Sequence, residues 1–346
     1  MITRWVRRTA LAAVFGAAAS SLVMADEGMW LFTKPPSKML KEKYGFEPTP
    51  QWLEHVQKSS VRFSSGGSAS FVSADGLVMT NHHVGSDDLE KLSTPEKNLL
   101  KTGFYAKTRE EEAKCPDLEI NVLWNIEDVT ERVNGAVTKE MSTADANTAR
   151  RKMTTTVEKE CEDATKLDCQ VVTLYKGGRY HLYQYKRFTD IRLVMAPEQT
   201  IAFFGGDNDN FEYPRFDLDM CFFRVYEDGK PYKPEHYLKW SQNGSADGEL
   251  VFVAGHPGRT QRLNTVEHLK FMRDVEMPVS MQRLWRREVQ LQTFSARNAE
   301  FARIAEGDFF GVQNGRKART GMLAGLQDPA IMKKKMEDEK KLREAV

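Results

Sequence analysis

Residues 67–85 read GSASFVSADGLVMTNHHVG. Ser68 to Ser73 forms a short strand by its composition, Asp75-Gly76 is a strong hairpin turn signal, and Leu77 to Thr80 is the return strand. Asn81-His82-His83-Val84-Gly85 comes next, where that strand should end, which places two imidazoles on a loop carried by a rigid scaffold. A neutral imidazole, with a pKa of about 6.5, is the usual general base for a hydroxyl nucleophile. Such a base needs an orienting carboxylate. Asp219, in Asp217-Leu218-Asp219-Met220 just ahead of another apolar run, has the apolar neighbours that half-bury an acid. A carboxylate so placed can hold a histidine in one tautomer and stabilise its imidazolium. A histidine pair after a strand also serves packing, and an acid at a strand start can simply be solvated. On the residues alone both readings stand.

Further strands are expected at Ile120 to Trp124, Val171 to Tyr175, Tyr180 to Tyr185, Ile191 to Met195, Met220 to Tyr226 and Leu250 to Ala254. Residues 29–60 look helical and are broken by Pro35-Pro36 and Pro48. A polar stretch free of Gly and Pro after Gly135, within 134–166, suits a helical insertion. Residues 262–306 and 327–346 carry helix formers with mixed charge. The expected architecture is a β-barrel-like domain over 26–260 with that helical insertion, followed by a helical domain over 261–346. Met332 to Val346 is charged and strongly helical with no C-cap, which reads as a chain that stops inside a helical domain.

Composition narrows the function. The 346 residues hold 50 Lys+Arg against 49 Asp+Glu, with 40% apolar and 29% charged residues, as in a globular protein with a substantial core. A formal net charge of +1 gives no electrostatic case for nucleic-acid binding. Beyond the N-terminus no apolar run is long enough to span a membrane. The first 25 residues are different. Arg4, Arg7 and Arg8 precede an Ala-rich apolar stretch from Ala10 to Met24, and Val23-Met24-Ala25 supplies a cleavage site. That order is a secretory signal with the mature chain starting at Asp26, so a secreted or periplasmic location is expected.

Export bears on the four cysteines. Cys161 and Cys169 flank a short polar turn, and an oxidising compartment favours their disulfide. Cys115 and Cys221 are either a second bridge or two buried thiols. Without a CxxC pair, or a histidine at ligand spacing around any cysteine, zinc is a poor alternative. The loop FFGGDNDNFEYP, residues 203–214, is rich in acceptors. An EF-hand loop wants a polar residue and then Gly where Phe211 and Glu212 stand, so calcium is rejected and neither metal nor cofactor is expected. The loop is then a solvated turn or a cradle for a cation such as a peptide α-ammonium. No serine sits in a convincing nucleophile elbow: Ser68 opens a strand, and Ser245 lies in a turn-like run.

Taken together, these segments resemble the S46 family of bacterial dipeptidyl peptidases. The resemblance is carried by DEGMWL at 26–31, the 67–85 hairpin with its TNHH, YQYKRFTDIRLVMAPE at 183–198, FFGGDNDNFEYPRFDLDMCFFRVY at 203–226 and GHPGRT at 255–260. It implies an exported serine exopeptidase without a metal, folded as a trypsin-like double β-barrel with a helical domain, of which this chain holds the first barrel and part of the helices. It implies that His83 is the base, Asp219 its acid, and Asn210 the anchor for the substrate's free N-terminus. Phe211 stands where the family has an aromatic, commonly Trp, and Asn314 matches a further N-terminus-binding asparagine. Val84 departs from the Cys often found after the histidine pair. Family members are much longer, and their nucleophilic serine lies in a second barrel, so this chain is expected to be inactive alone. The expected ligand is a peptide with a free N-terminus; a homodimer is a compatible assembly. Two alternatives stand beside this reading: a trypsin-like periplasmic endopeptidase, which also uses a DG hairpin before its histidine, and a non-catalytic peptide-binding module.

Overall fold

A computed structural model describes residues 26, 28–94, 96–202, 206–207, 209–212, 214–258, 261 and 263–345. The expected signal segment lies outside the described residues. Among the described residues eleven strands form one antiparallel sheet: β1 Ser60–Phe63, β2 Ser68–Phe71, β3 Leu77–Thr80, β4 Phe104–Tyr105, β5 Ala113–Lys114, β6 Ile120–Asp128, β7 Asp168–Leu174, β8 Arg179–Phe188, β9 Asp190–Ala196, β10 Cys221–Glu227 and β11 Lys230–Pro231. Their order is β4-β9-β10-β3-β2-β1-β6-β8-β7, with β11 added to β10 and β5 to β9. The molecule is therefore mixed α/β around a large antiparallel sheet.

Period-two alternation makes the core. Val61 and Phe63, Ala69 and Phe71, Val78, and Phe223 and Val225 all face inward and are buried together with Ile191 and Leu193. The turn at Asp75-Gly76 has Gly76 at φ +69°, a conformation that glycine adopts without strain. Its strands pair Ser70 with Met79 and Phe71 with Val78. β3 then pairs with β10, Thr80 opposite Cys221. This register brings two distant parts of the chain together. In an antiparallel pair, residues leaving β3 after Thr80 and residues entering β10 before Cys221 meet at the same sheet end.

The histidines do not sit on a loop. The chain turns directly from β3 into a helix, His82–Leu92, with Asn81 at its N-cap. Gly85 makes this possible: a Cβ there would lie 2.9 Å from the Phe223 ring and 3.1 Å from the Cys221 sulfur. Only a residue without a side chain lets the first helical turn lie so close to β10. Leu89 buries the helix's inner face in the core.

The insertion comprises two helices, Thr130–Asn134 and Thr143–Thr165, rather than one stretch from 134. The long helix is joined to β7 by a disulfide between Cys161 and Cys169, whose Cα atoms are 6.1 Å apart. Cys115 and Cys221 are free, buried thiols. Burial pushes the Cys115 thiol up to about 12, so it behaves as a small apolar side chain. From Val266 onward most of the chain is helical, and Ala299–Gln327 is one continuous helix that also spans 307–326, between the two stretches of helix formers. Gly307 and Gly311 do not break it, because it packs along the preceding helix, Met277–Ser295.

One expected strand is absent. Leu250 to Ala254 pairs with no strand among the described residues. Val253 is fully exposed, whereas Phe252 joins a cluster with Phe46 and Trp52 at ring separations of 5.2 and 4.9 Å. Alternation alone cannot make a strand without a neighbouring edge to pair with.

A buried acid lies on the histidine-bearing helix. Burial, reinforced by Asp87 and opposed by Lys91, raises the Asp88 carboxyl to about 6. A raised folded-state pKa means that the native state holds the proton more tightly, so stability falls as pH rises from about 4 to about 6 and then levels off. Asp88→Asn should remove that slope. In urea unfolding its advantage over the parent should grow across this range and reach at most about 3 kcal/mol by pH 7; a difference independent of pH would contradict the assignment.

Candidate active site

The site begins at the β3–β10 end. Asp219, two residues before β10, meets the first turn of the His82–Leu92 helix. The His83 ring places Nδ1 2.7 Å from Asp219 Oδ2, and the His83 backbone N–H donates to Oδ1 at 3.0 Å. Asn81 Nδ2 donates to Oδ2 and to the Asp219 carbonyl, both at 3.1 Å. Asp219 thus caps the helix from outside it, satisfying an N–H that the helix itself cannot pair. Burial alone would raise this carboxyl. The hydrogen bonds from the His83 ring and amide and from Asn81 outweigh burial and hold it below the ordinary carboxylate value. An anion at a helix N-terminus is further favoured by the peptide dipoles.

The two histidines separate sharply in environment. The His83 side chain is 40% exposed, whereas His82 is buried against the Pro197 backbone. Burial depresses the His82 pKa, opposed by the Asp219 charge and the Pro197 hydrogen bond. His82 is therefore a packing residue, and a histidine held at Nδ1 by a carboxylate presents Nε2 on its opposite edge.

A cavity of about 230 Å³ lies over His83. Its walls come from two regions: Ser86, Gln199 and Ala202 beside the sheet, and Phe310 and Asn314 on the Ala299–Gln327 helix. The Asp/Asn loop ties these regions together. Gly206 approaches the helix so closely that a Cβ would lie 2.6 Å from Gln313 Oε1 and 2.9 Å from the Phe310 ring. Asn210 Nδ2 donates to Asn314 Oδ1 at 2.8 Å, and Lys317 Nζ reaches Glu212 Oε1 at 2.9 Å.

Asn210 is buried, and its amide orientation follows from Arg215, whose Nη1 donates to Asn210 Oδ1 at 3.4 Å. A guanidinium only donates, so the atom facing it must be the carbonyl oxygen. Asn210 therefore aims its NH2 at Asn314, and of the two only Asn314 lines the cavity. Phe211 adopts φ +63° and is 60% exposed, outside the residues that line this cavity. Arg215 itself, part of the motif segment at 203–226, is a residue to which the sequence assigns no role. It pairs with Asp207 at 2.8 Å and Asp217 at 2.7 Å. Its place between the loop and Asp219, in Pro214-Arg215-Phe216-Asp217, was the available signal.

Comparison with known proteins shows the family. The Peptidase S46 family model matches residues 25–346. The chain belongs to the Peptidase S46 family. This S46 chain is 34% identical over 260 residues to the dipeptidyl-peptidase 7 of Capnocytophaga gingivalis, covering 70% of this chain and 36% of that protein. It is 33% identical over 333 residues to the Asp/Glu-specific dipeptidyl-peptidase of Shewanella putrefaciens, covering 90% and 45% respectively. Its fold matches the crystal structure of Porphyromonas endodontalis DPP11 with a TM-score of 0.79 at 23% identity, over 91% of this chain and 49% of that one. The S46 chain thus spans less than half the length of these relatives. The same homologue has been crystallised with the dipeptide Arg-Glu, and that structure matches with a TM-score of 0.76.

The acidic pair around Arg215 yields a stability prediction. Burial raises the Asp217 carboxyl, and Arg215 opposes that rise. Replacing Arg215 with Met leaves half-buried carboxylates without this cation, and unfolding at pH 7 should become easier by about 2–3 kcal/mol. The deficit should shrink toward about pH 3, where carboxylates take up protons. Equal deficits at both pH values would contradict the role given to Arg215.

Proposed function

We propose that this chain carries the base, the acid and the amine-binding wall of a serine-type dipeptidyl peptidase that releases dipeptides from peptide N-termini. The observation that carries the reading is the 2.7 Å contact of His83 Nδ1 with Asp219, with His83 and Asn314 lining one cavity. In this reading Nε2 of His83 takes the proton of a serine hydroxyl as the oxygen attacks the peptide carbonyl. Asp219 stays ionised, keeps the proton on Nδ1 and stabilises the imidazolium that forms. His83 later returns the proton to the leaving amine, and water releases the dipeptide from the acyl-enzyme. The serine would come from the part of the relatives' length that this chain does not span.

Exopeptidase register comes from the far wall. A substrate α-ammonium is largely charged at neutral pH and needs acceptors where it leaves water. The second lone pair of Asn314 Oδ1 is such an acceptor within the cavity, while Asn210 holds that amide in place and Phe211, on the same loop, offers an exposed ring to the substrate's first side chain. Asn210 is then a holder of the anchor rather than its sole acceptor. The sheet supports assignment as the first barrel of a trypsin-like pair, with residues 26–260 as the barrel domain and 261–346 as the start of a helical domain. Export is supported by the basic-then-apolar leader ending at Ala25 and by the Cys161–Cys169 disulfide.

The test uses the enzyme that contains this chain, with matched fluorogenic peptides bearing free or acetylated N-termini. Free peptides should be cleaved two residues in and acetylated ones left intact. His83→Ala should lower kcat/KM by about a thousandfold, the usual scale of a lost general base. Asn314→Ala should reduce turnover of free peptides selectively. Equal cleavage of both peptide classes would favour the endopeptidase reading, and no cleavage of either would favour a peptide-binding module.

A further inference from the structure

Asn81 is the N-cap residue of the His82–Leu92 helix, yet its side chain makes no capping hydrogen bond. Asparagine is among the best capping residues because its carbonyl oxygen accepts from the N–H two or three residues ahead. Here that use is forgone. The side chain turns away from its own helix and donates Nδ2 to Asp219, to the carboxylate Oδ2 and to the main-chain carbonyl, each at 3.1 Å. The capping duty passes to Asp219, whose Oδ1 accepts the N–H of His83. The exchange leaves the helix N-terminus served and gives Asp219 a partner that straddles its side chain and backbone.

This partner restricts a specific motion. Oδ1 is fixed by the His83 amide, and the ring of His83 meets Oδ2. Two bonds from one amide group, one to Oδ2 and one to the residue's own carbonyl, lock the carboxylate plane relative to β10. The accepting edge presented to His83 is therefore set independently of the imidazole. A serine or threonine at the same position would cap the helix but has no NH2 to reach Asp219.

We propose that Asn81 is a positioning residue for the His83–Asp219 pair, serving through its donation to Asp219 and not through capping. Its functional meaning rests on the base–acid reading of that pair, but its geometry is independent of peptide hydrolysis. Asn81 acts through Asp219 on the His83 tautomer. The hydrogen bond from Asn81 is also among those that lower the Asp219 carboxyl, so its loss should move that titration upward.

The experiment compares the full chain with its Asn81→Ser and Asn81→Ala variants. Imidazole 15N shifts of His83 report the tautomer, 13C carboxyl shifts report the Asp219 titration, and thermal unfolding reports the fold. In Asn81→Ser the unfolding midpoint should be kept, since serine can supply a side-chain cap that Asn81 does not make and so offset the bonds lost to Asp219. The Nδ1–H tautomer should nonetheless lose its predominance and the Asp219 titration should move up in pH, in both variants alike. Unchanged tautomer and titration in both variants would overturn the proposal. A midpoint that falls as far in Asn81→Ser as in Asn81→Ala, with the tautomer kept, would overturn it too and make Asn81 a fold residue. These signals exist whether or not peptides are cleaved, so a failure of the peptidase reading would show in the hydrolysis assays and leave this result standing.

Discussion

One carboxylate holds the site together. Asp219 accepts the backbone N–H and the ring of His83 and the side chain of Asn81, so a single residue caps a helix and orients an imidazole. The two tasks reinforce each other. A helix N-terminus favours an anion, and an anion held there keeps its charge to lower pH than a solvated carboxylate would. All of this depends on the pairing of Thr80 with Cys221. A slip of one residue would turn Phe223 and Val225 out of the core as well as carry Asp219 away, so the hydrophobic pattern that fixes the register also protects the site.

The second wall of the cavity is built differently. No strand pairing brings Asn314 to His83. The link is a loop with Gly206 packed close against the helix, a buried asparagine and an ion pair between Glu212 and Lys317. Arg215 organises this loop from within by facing Asp207, Asp217 and the Asn210 carbonyl at once. Such a cluster costs desolvation, which the contacts of one guanidinium with two carboxylates offset. Here it fixes which end of the Asn210 amide faces the helix.

The hairpin, the strands β2, β3 and β10, and the helical character beyond Val266 were legible because each is local: a turn dipeptide, a short run of strand formers, a run of helix formers; β1, four residues directly after a helix, carried no such signal. The pairing of His83 with Asp219, 136 positions away, was not derivable from spacing. It was readable only as a pattern of motifs resembling a family, and the register that produces it is a tertiary fact. Three features were misread or missed for related reasons. The histidines lie on a helical turn because Gly85 admits the helix against Phe223, which no local signal reveals. Leu250 to Ala254 has strand composition but no partner edge among the described residues. Asn81 carries no role in the sequence, and only its contacts show that it serves Asp219.

The central claim is that Asp219 and the His83 ring are energetically coupled, not merely adjacent. A double-mutant cycle on this chain, with His83→Ala, Asp219→Ala and the pair, measures that coupling by urea unfolding at pH 7. His83→Ala keeps the backbone N–H that Asp219 caps, so the cycle isolates the ring. The account predicts a favourable coupling of about 1 kcal/mol, the scale of a hydrogen bond to a charged group at a partly exposed site. Additivity of the two single losses would contradict it.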